Sequence, residues 1–409
     1  MIFKKIVTVF IIFTFFLSGC ASNTRTTSTV GPASSSSFLK AEESHLVEPT
    51  PIVDVVIPVF DPGLPEDPSD YDDENIWPEL RRAEANRFAD KLKEKLEKTG
   101  QFGAIRVTPD STATGDLYIL GRIEQSNGEE VEIEIEVVDI RGKRWLDESF
   151  EHEVSKAFHR DQRNKGLDPY DPVFEEAAAE IVAKLNDHSL QELEDLHYLA
   201  DLRFGTNFSE ATFTQYMEID DGEYSLVSKP SDQDPMLLRV KAIRVRDQLF
   251  VDGLQDNYAS FSEEMNESYL MWQKESLLET LAGRAARRKT IGQALGGILL
   301  IGLAVLSAVA GSNSSSTGGS AAGTTGAIIG GMAGVSLMSN SFRTSEEAKV
   351  HRDSLNELGQ SVDMSLAPQV IAFEKESVKL TGDAKEQFSQ WRAFLQKMYT
   401  EEQTPETIL

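Results

Sequence analysis

One cysteine, Cys20, stands in 409 residues, so no intrachain disulfide is possible and the fold rests on buried apolar surface. Histidine is scarce too. The six (His45, His152, His159, His188, His197, His351) include no pair four apart and no HExxH, so a zinc site has nothing to begin from. GxxxxGK[ST] and GxSxG are both absent, which removes the first element of nucleotide and serine-hydrolase chemistry. His159-Arg160-Asp161 and His351-Arg352-Asp353 share three letters with the kinase catalytic loop. Both lack its Asn five residues on, and the chain has no glycine-rich loop, paired lysine or DFG to accompany them. Positive charge is also short: 40 Lys and Arg face 67 Asp and Glu, a net charge of −27. That balance argues against sequence-independent nucleic-acid binding, which needs a basic face for the phosphates. The acidic run Glu66, Asp67, Asp70, Asp72, Asp73, Glu74 lacks the spaced glycine and closing glutamate of a calcium loop and reads as a solvated loop. The expectation is a non-catalytic chain without cofactor or metal.

Charge is missing altogether from two stretches near residue 300. Ile291–Gly311 has none, and neither has Gly318–Phe342, with the polar tip Ser312–Thr317 between them. The first is long enough to cross a bilayer core, which takes about 20 apolar residues in a helix. Basic residues flank the pair: Arg284, Arg287, Arg288 and Lys289 before it, Arg343 after it. Charges at both ends of a returning hairpin anchor it at one membrane interface. Along the second run Gly323, Gly326, Gly330 and Gly334 follow at helical spacing, a bare backbone ridge open to close approach by another helix. Gly292 and Gly296 give the first run a small face of its own. Five such glycines (with Gly331) cost a helix roughly 4–5 kcal/mol against alanine, and tight helix packing is the expected compensation. The reading is a glycine-zipper transmembrane helical hairpin over 290–342 that favours self-association.

The N-terminus accounts for the cysteine. Lys4 and Lys5 precede the apolar run Ile6–Leu17, and Leu17-Ser18-Gly19-Cys20 follows, the parts of a secretory signal. This end resembles the lipobox signal of bacterial lipoproteins. The resemblance implies removal of residues 1–19, lipid on Cys20, and sorting to the outer membrane facing the periplasm, because Ala21 rather than Asp follows. Loss of Lys4 and Lys5 makes the mature net charge −29. Lipid plus a hairpin makes two membrane signals, which is what stable anchoring takes. Residues 20–50 are Ser/Thr-rich with few large apolar side chains and read as a flexible tether.

From 51 to 188 the patterning reads as one domain. Ile52–Phe60 is a buried-strand pattern, and Leu80, Phe88, Leu92 and Leu96 predict a helix over Pro78–Thr99, stopped by Gly100. Ala104–Val107 and Leu117–Gln125 read as strands. Val131, Ile133, Ile135 and Val137 alternate with Glu130, Glu132, Glu134 and Glu136, one face in the core and one in water. Asp139–Gly142 turns into a strand over Lys143–Val154, and a helix follows over Pro172–His188. The order β-α-β-β-β-β-α predicts an α+β fold, an antiparallel sheet with helices on one face. The Thr99-Gly100-Gln101-Phe102 helix end and Gly115–Ile123 resemble the TolB N-terminal domain and the periplasmic domain of curli-secretion (CsgG-type) lipoproteins. That resemblance covers about a third of the chain and implies a protein-interaction module of an envelope assembly. The strand pairs from which curli-type lipoproteins build a barrel are absent, so no β-pore is carried over.

Residues 189–289 read as a helical region and stalk. Leu190, Leu193, Leu196, Leu199 and Leu202 form one amphipathic helix, Ser209–Met217 a short one, and Ile219–Ser231 a loop. Asp234-Pro235 opens a long helix whose stripe is Ile243, Phe250, Leu254, Tyr258, Phe261, Met265, Tyr269 and Trp272, a packing face for neighbouring helices. Residues 343–409 read as a C-terminal helical region. Its first helix packs back along the stalk, Val370–Leu380 is either strand or helix turn, and Thr381-Gly382-Asp383 opens the last helix. The expected partners are membrane lipid, further copies of the chain and a periplasmic or envelope protein. Two functions remain open: a membrane-anchored assembly lipoprotein, or a lipid-anchored adaptor whose hairpin is buried in a protein oligomer.

Overall fold

The computed structural model describes residues 53–73, 76–308, 346–361, 363–373 and 376–402, with 282–308 given as backbone. The chain enters on β1 (Val55–Pro58), all four residues buried. A strand apolar on both faces belongs in the middle of a sheet, and β1 lies between β2 (Ile105–Thr108) and β3 (Leu117–Ser126), parallel to both. Helix α1 (Pro78–Thr99) makes the crossover that lets β2 run the same way as β1. Pro78 opens it, and Gly100, in left-handed conformation at φ 64°, closes it. Strands β4 (Glu130–Asp139) and β5 (Arg144–Glu153) then pair antiparallel, giving the order β2-β1-β3-β4-β5.

The α+β class therefore holds, but the sheet is mixed, not antiparallel. A 22-residue helix between two short strands returns the chain to its starting side, and adjacent strands made that way run parallel. The alternation on β4 is as expected: Val131, Ile133, Ile135 and Val137 are at most 1% exposed. They pack beneath α1 and α2 (Asp171–Asn186), where Phe88 meets Phe174 edge-on at 5.1 Å. Helices are not confined to that face. Tyr118 alternates with the buried Leu117 and Ile119, and Arg203, Arg244 and Arg392 from three further helices act on its hydroxyl.

Helix α3 (Leu190–Thr206) begins at Ser189 with a reciprocal capping box to Glu192. The stretch expected as a loop holds a hairpin, β6 (Met217–Asp220) with β7 (Glu223–Leu226). Its two-residue turn is Asp221-Gly222, both at positive φ, the geometry a tight hairpin demands. The strands are short and mostly exposed, which hid them from a periodicity reading. Asp234 caps α4 (Pro235–Ala308), its carboxylate accepting from the Met236 and Leu237 N–H groups. At 74 residues, α4 outruns every other element, and its expected stripe is buried from Ile243 to Trp272.

Helix α5 (Glu346–Leu358) lies along α4 and α1. Its end comes so near the Glu79 carbonyl that a side chain at Gly359 would strike it. The ambiguous segment proves to be a hairpin, β8 (Gln369–Phe373) with β9 (Glu376–Leu380), and α6 (Ala384–Glu402) closes the described chain. Phe388, Trp391 and Leu395 of α6 are buried, and Trp391 stacks on Phe250 of α4 at 5.3 Å. Among the described residues no helix is long and apolar enough to cross a membrane. The expected transmembrane hairpin is thus not found there. Its first arm is described as backbone to Ala308, and 309–342 lie outside.

Candidate functional site

The most heavily built part of the molecule is the clamp around α4 between Ser262 and Leu277. Glu84 of α1 stands at a core position, one helical step from Leu80 and another from Phe88, and is fully buried. Its Oε1 accepts from Tyr269 Oη at 2.7 Å and from Ser126 Oγ at 2.5 Å. Its Oε2 has only the Arg81 Nε, at 3.6 Å, and no hydrogen-bond partner. Burial pushes the carboxyl above the ordinary glutamate value, opposed by Arg81 and the two hydroxyls. Through those two hydroxyls this buried carboxyl ties α1 to α4 and to the end of β3. It is sealed from any solute.

One turn along, Arg87 donates to the Ser262 carbonyl, to Asn266 Oδ1 and to Asp168 Oδ2, each at 2.8 Å. Asp168 also accepts from Gln273 Nε2 at 3.0 Å. Burial works against its charge, but the Arg87 guanidinium and these hydrogen bonds hold its carboxyl below the usual value. Tyr170 accepts the Gly128 N–H at 2.6 Å, and burial drives its hydroxyl far up. Gly128, at φ +85°, sits where a Cβ would come within 2.5 Å of Ser276 Cβ. From the other side His351 Nδ1 meets Ser268 Oγ at 3.0 Å. Helix α1, the β3–β4 turn, the loop before α2 and α5 thus all grip one short length of α4.

A second polar cluster fixes the start of α4. Arg244 bridges Asp201 at 2.6 Å and Asp116 at 3.5 Å, with Lys241 on the far oxygen of Asp201 at 3.3 Å. His197, its side chain 55% exposed, lies 3.3 Å from Asp116, and that hydrogen bond raises its pKa. A cleft of 290 Å³ opens between α3 and α6, lined by Phe204, Phe208, Leu395 and Arg392 among others. Arg392 there is tied to Asp247 at 2.9 Å. Among the described residues no group of three His, Cys, Asp or Glu could hold a metal ion.

Of the residues singled out in the sequence, Arg284, Arg287, Arg288, Lys289, Gly292 and Gly296 all fall on α4, beyond the clamp. Cys20, Gly323, Gly326, Gly330, Gly334 and Arg343 lie outside the described residues. Tyr269 and Trp272 were visible as part of the α4 stripe. Glu84 and Arg87 were not singled out, although charges on the apolar face of α1 were the signal. The chain matches no known protein family, no characterised protein and no solved structure.

Proposed function

We propose that the chain is a lipid-modified protein of a bacterial envelope, held by Cys20 and by a glycine-zipper hairpin over 290–342. In this reading it is non-catalytic, oligomerises through the hairpin and recruits periplasmic partners with its α+β body. One observation carries it: α4 leaves the clamp and runs on, without a break, into the uncharged stretch. Ser268 sits in the clamp and Ala308 forty residues further, roughly 60 Å along a helix. The chain must come back over that length, because His351 is bonded to Ser268. The 43 residue steps from Ala308 to His351 span about 65 Å as helix but about 140 Å extended. The roughly 60 Å that the return has to cover falls at the low end of that range.

Two uncharged arms satisfy their backbone groups in lipid only when both are helical. The clamp supports the same reading from the other end, since four elements fix the direction in which α4 departs.

The test removes the lipid and asks whether the hairpin holds. With Cys20 replaced and an ordinary cleavable leader supplied, the chain is expected to resist alkaline carbonate extraction. Complete release would favour the adaptor, its hairpin buried in a protein oligomer. Partial release would mean that only Ile291–Gly311 is inserted. Lipidation is tested apart: Cys20→Ala is expected to leave uncleaved precursor without fatty-acid label, and a normal-mass mature chain lacking lipid would sink it.

A further inference from the structure

The two edges of the sheet are treated differently. On β2 the side-chain amide of Gln255 stands in for a missing strand: its Oε1 accepts from the Val107 N–H and its Nε2 donates to the Val107 carbonyl, each at 2.9 Å. Nothing among the described residues does the same for β5, the last strand at the other edge. It runs ten residues with neither glycine nor proline. Its register with β4 is unbroken from Leu146 opposite Val137 to Glu153 opposite Glu130. Just past that end the Val154 N–H bonds the Glu129 carbonyl. Antiparallel hydrogen bonding alternates, so Leu146, Glu148, Phe150 and His152 bond β4, while Asp147, Ser149, Glu151 and Glu153 turn their N–H and C=O groups outward. These last four are all exposed. A row of unpaired backbone groups on an open edge is a template for another strand.

We propose that this edge takes up, as a further strand, an extended segment of a partner protein with lysine or arginine at every second position. This rests on the reading above that the α+β body recruits a partner, and gives that reading a place. The partner's chemistry follows from the register. Glu132 stands directly opposite Glu151, and Glu130 directly opposite Glu153. Two like-charge pairs side by side work against the sheet. Among the described residues no ion pair reaches Glu132, Glu151 or Glu153. Arg144 serves only the other end of the strand, with Glu136 and Asp147 each at 2.6 Å. In a strand laid on β5, the residues opposite Glu151 and Glu153 carry their side chains on this same face. Cations there relieve a repulsion that the chain by itself keeps. Main-chain bonds supply the affinity and alternate side chains the selectivity, the strand-addition mode of peptide recognition. A second copy does not fit, because two β5 edges in antiparallel pairing set carboxylate against carboxylate. The charges guard this edge against the chain's own copies and leave it open to opposite charge.

The experiment measures fluorescence anisotropy of a labelled peptide of alternating lysine and threonine against the full-length chain in non-ionic detergent. Binding is expected, with none from a peptide that has glutamate in place of lysine. The lysine peptide methylated at every backbone nitrogen keeps its charge, loses its N–H groups and is expected not to bind. Ser149→Pro removes one outward N–H and is expected to weaken binding by about tenfold or more. Glu151→Gln with Glu153→Gln is expected to weaken it about tenfold. An unchanged unfolding temperature shows that the variants fold, and the methylated peptide asks the same question of the unaltered chain. No binding by the parent overturns the edge, and equal binding of the methylated peptide does so by leaving charge alone as the cause. A dimer of the parent that is lost in Ser149→Pro gives the edge to a second copy and overturns the basic partner. Recruitment is read apart, by carbodiimide coupling of carboxylates to a partner's lysines in the native envelope. An adduct that Ser149→Pro keeps in full overturns the edge and leaves recruitment standing. No adduct from the parent removes both.

Discussion

Tyr269 of α4 donates its hydroxyl to Glu84 of α1 at 2.7 Å, joining two residues 185 apart in the chain. The bond lies where both side chains are fully buried, so neither end can turn to water instead. A buried hydrogen bond is worth most in what its loss costs, since the orphaned group keeps its full desolvation penalty. This contact and its neighbours make α4 part of the domain.

Glu84→Gln tests the charge state of that contact. Burial raises the folded pKa above the ordinary 4.5, so the folded chain keeps a proton that the unfolded chain releases. The site's stability is whole below that value and is lost as pH rises through the raised one. Thermal unfolding followed by circular dichroism is expected to show a smaller loss toward neutral pH in Glu84→Gln than in the parent. Parallel curves for the two proteins would remove Glu84 from the account.

Asp168→Asn leaves the Arg87 guanidinium, 1% exposed at its side chain, without its carboxylate. Breaking one side of a buried pair costs about 3–5 kcal/mol. Urea unfolding is expected to report that loss, with much of it recovered in Arg87→Met with Asp168→Leu. A shift below about 1 kcal/mol, the range of a surface pair, would show that water reaches the site.

Two glycines with similar backbone angles separate strain from crowding. Gly100 has φ +64° and open space around a would-be Cβ, whereas Gly128 has φ +85° and Ser276 Cβ at 2.5 Å. Gly100→Ala is expected to cost about 1 kcal/mol, the backbone effect alone. Gly128→Ala should cost clearly more and open α4 to protease near Gln273. Equal midpoints for the two variants would mean that the β3–β4 turn does not hold α4.

Gly330→Leu places a bulky side chain in the middle of the proposed ridge. Cross-linked oligomer is expected to fall while lipidation at Cys20 continues. The same outcome is expected for Gly326→Leu. If both variants keep oligomer and membrane retention as in the parent, the ridge has no packing role.

The elements that could be read early are those in which one short segment carries its own signal. Pro78 and Gly100 bracket α1, Asp234-Pro235 opens α4, and the Val131–Val137 alternation is β4. The β6–β7 hairpin escaped because its signal is two residues, Asp221-Gly222, between strands too short and polar to show a period. The parallel pairing of β1 escaped for another reason. Strand order is a choice among neighbours, and nothing in Val55–Pro58 names Ile105 and Leu117 as its partners.

By itself the sequence determined where α1 starts and stops and where α4 begins, which faces are apolar, where charge is absent, and that one cysteine follows an N-terminal apolar run. These are properties of adjacent residues, set by propensity, periodicity and capping. Only the tertiary structure decided that the sheet is mixed and that Glu84, Arg87, Asp168, Tyr170 and Gln273 meet around α4. It alone showed that Gln255 covers one edge of the sheet while the other, β5, is left open. Those facts depend on which distant segments come together, and burial turns a glutamate that would be ordinary in water into the pin of a clamp.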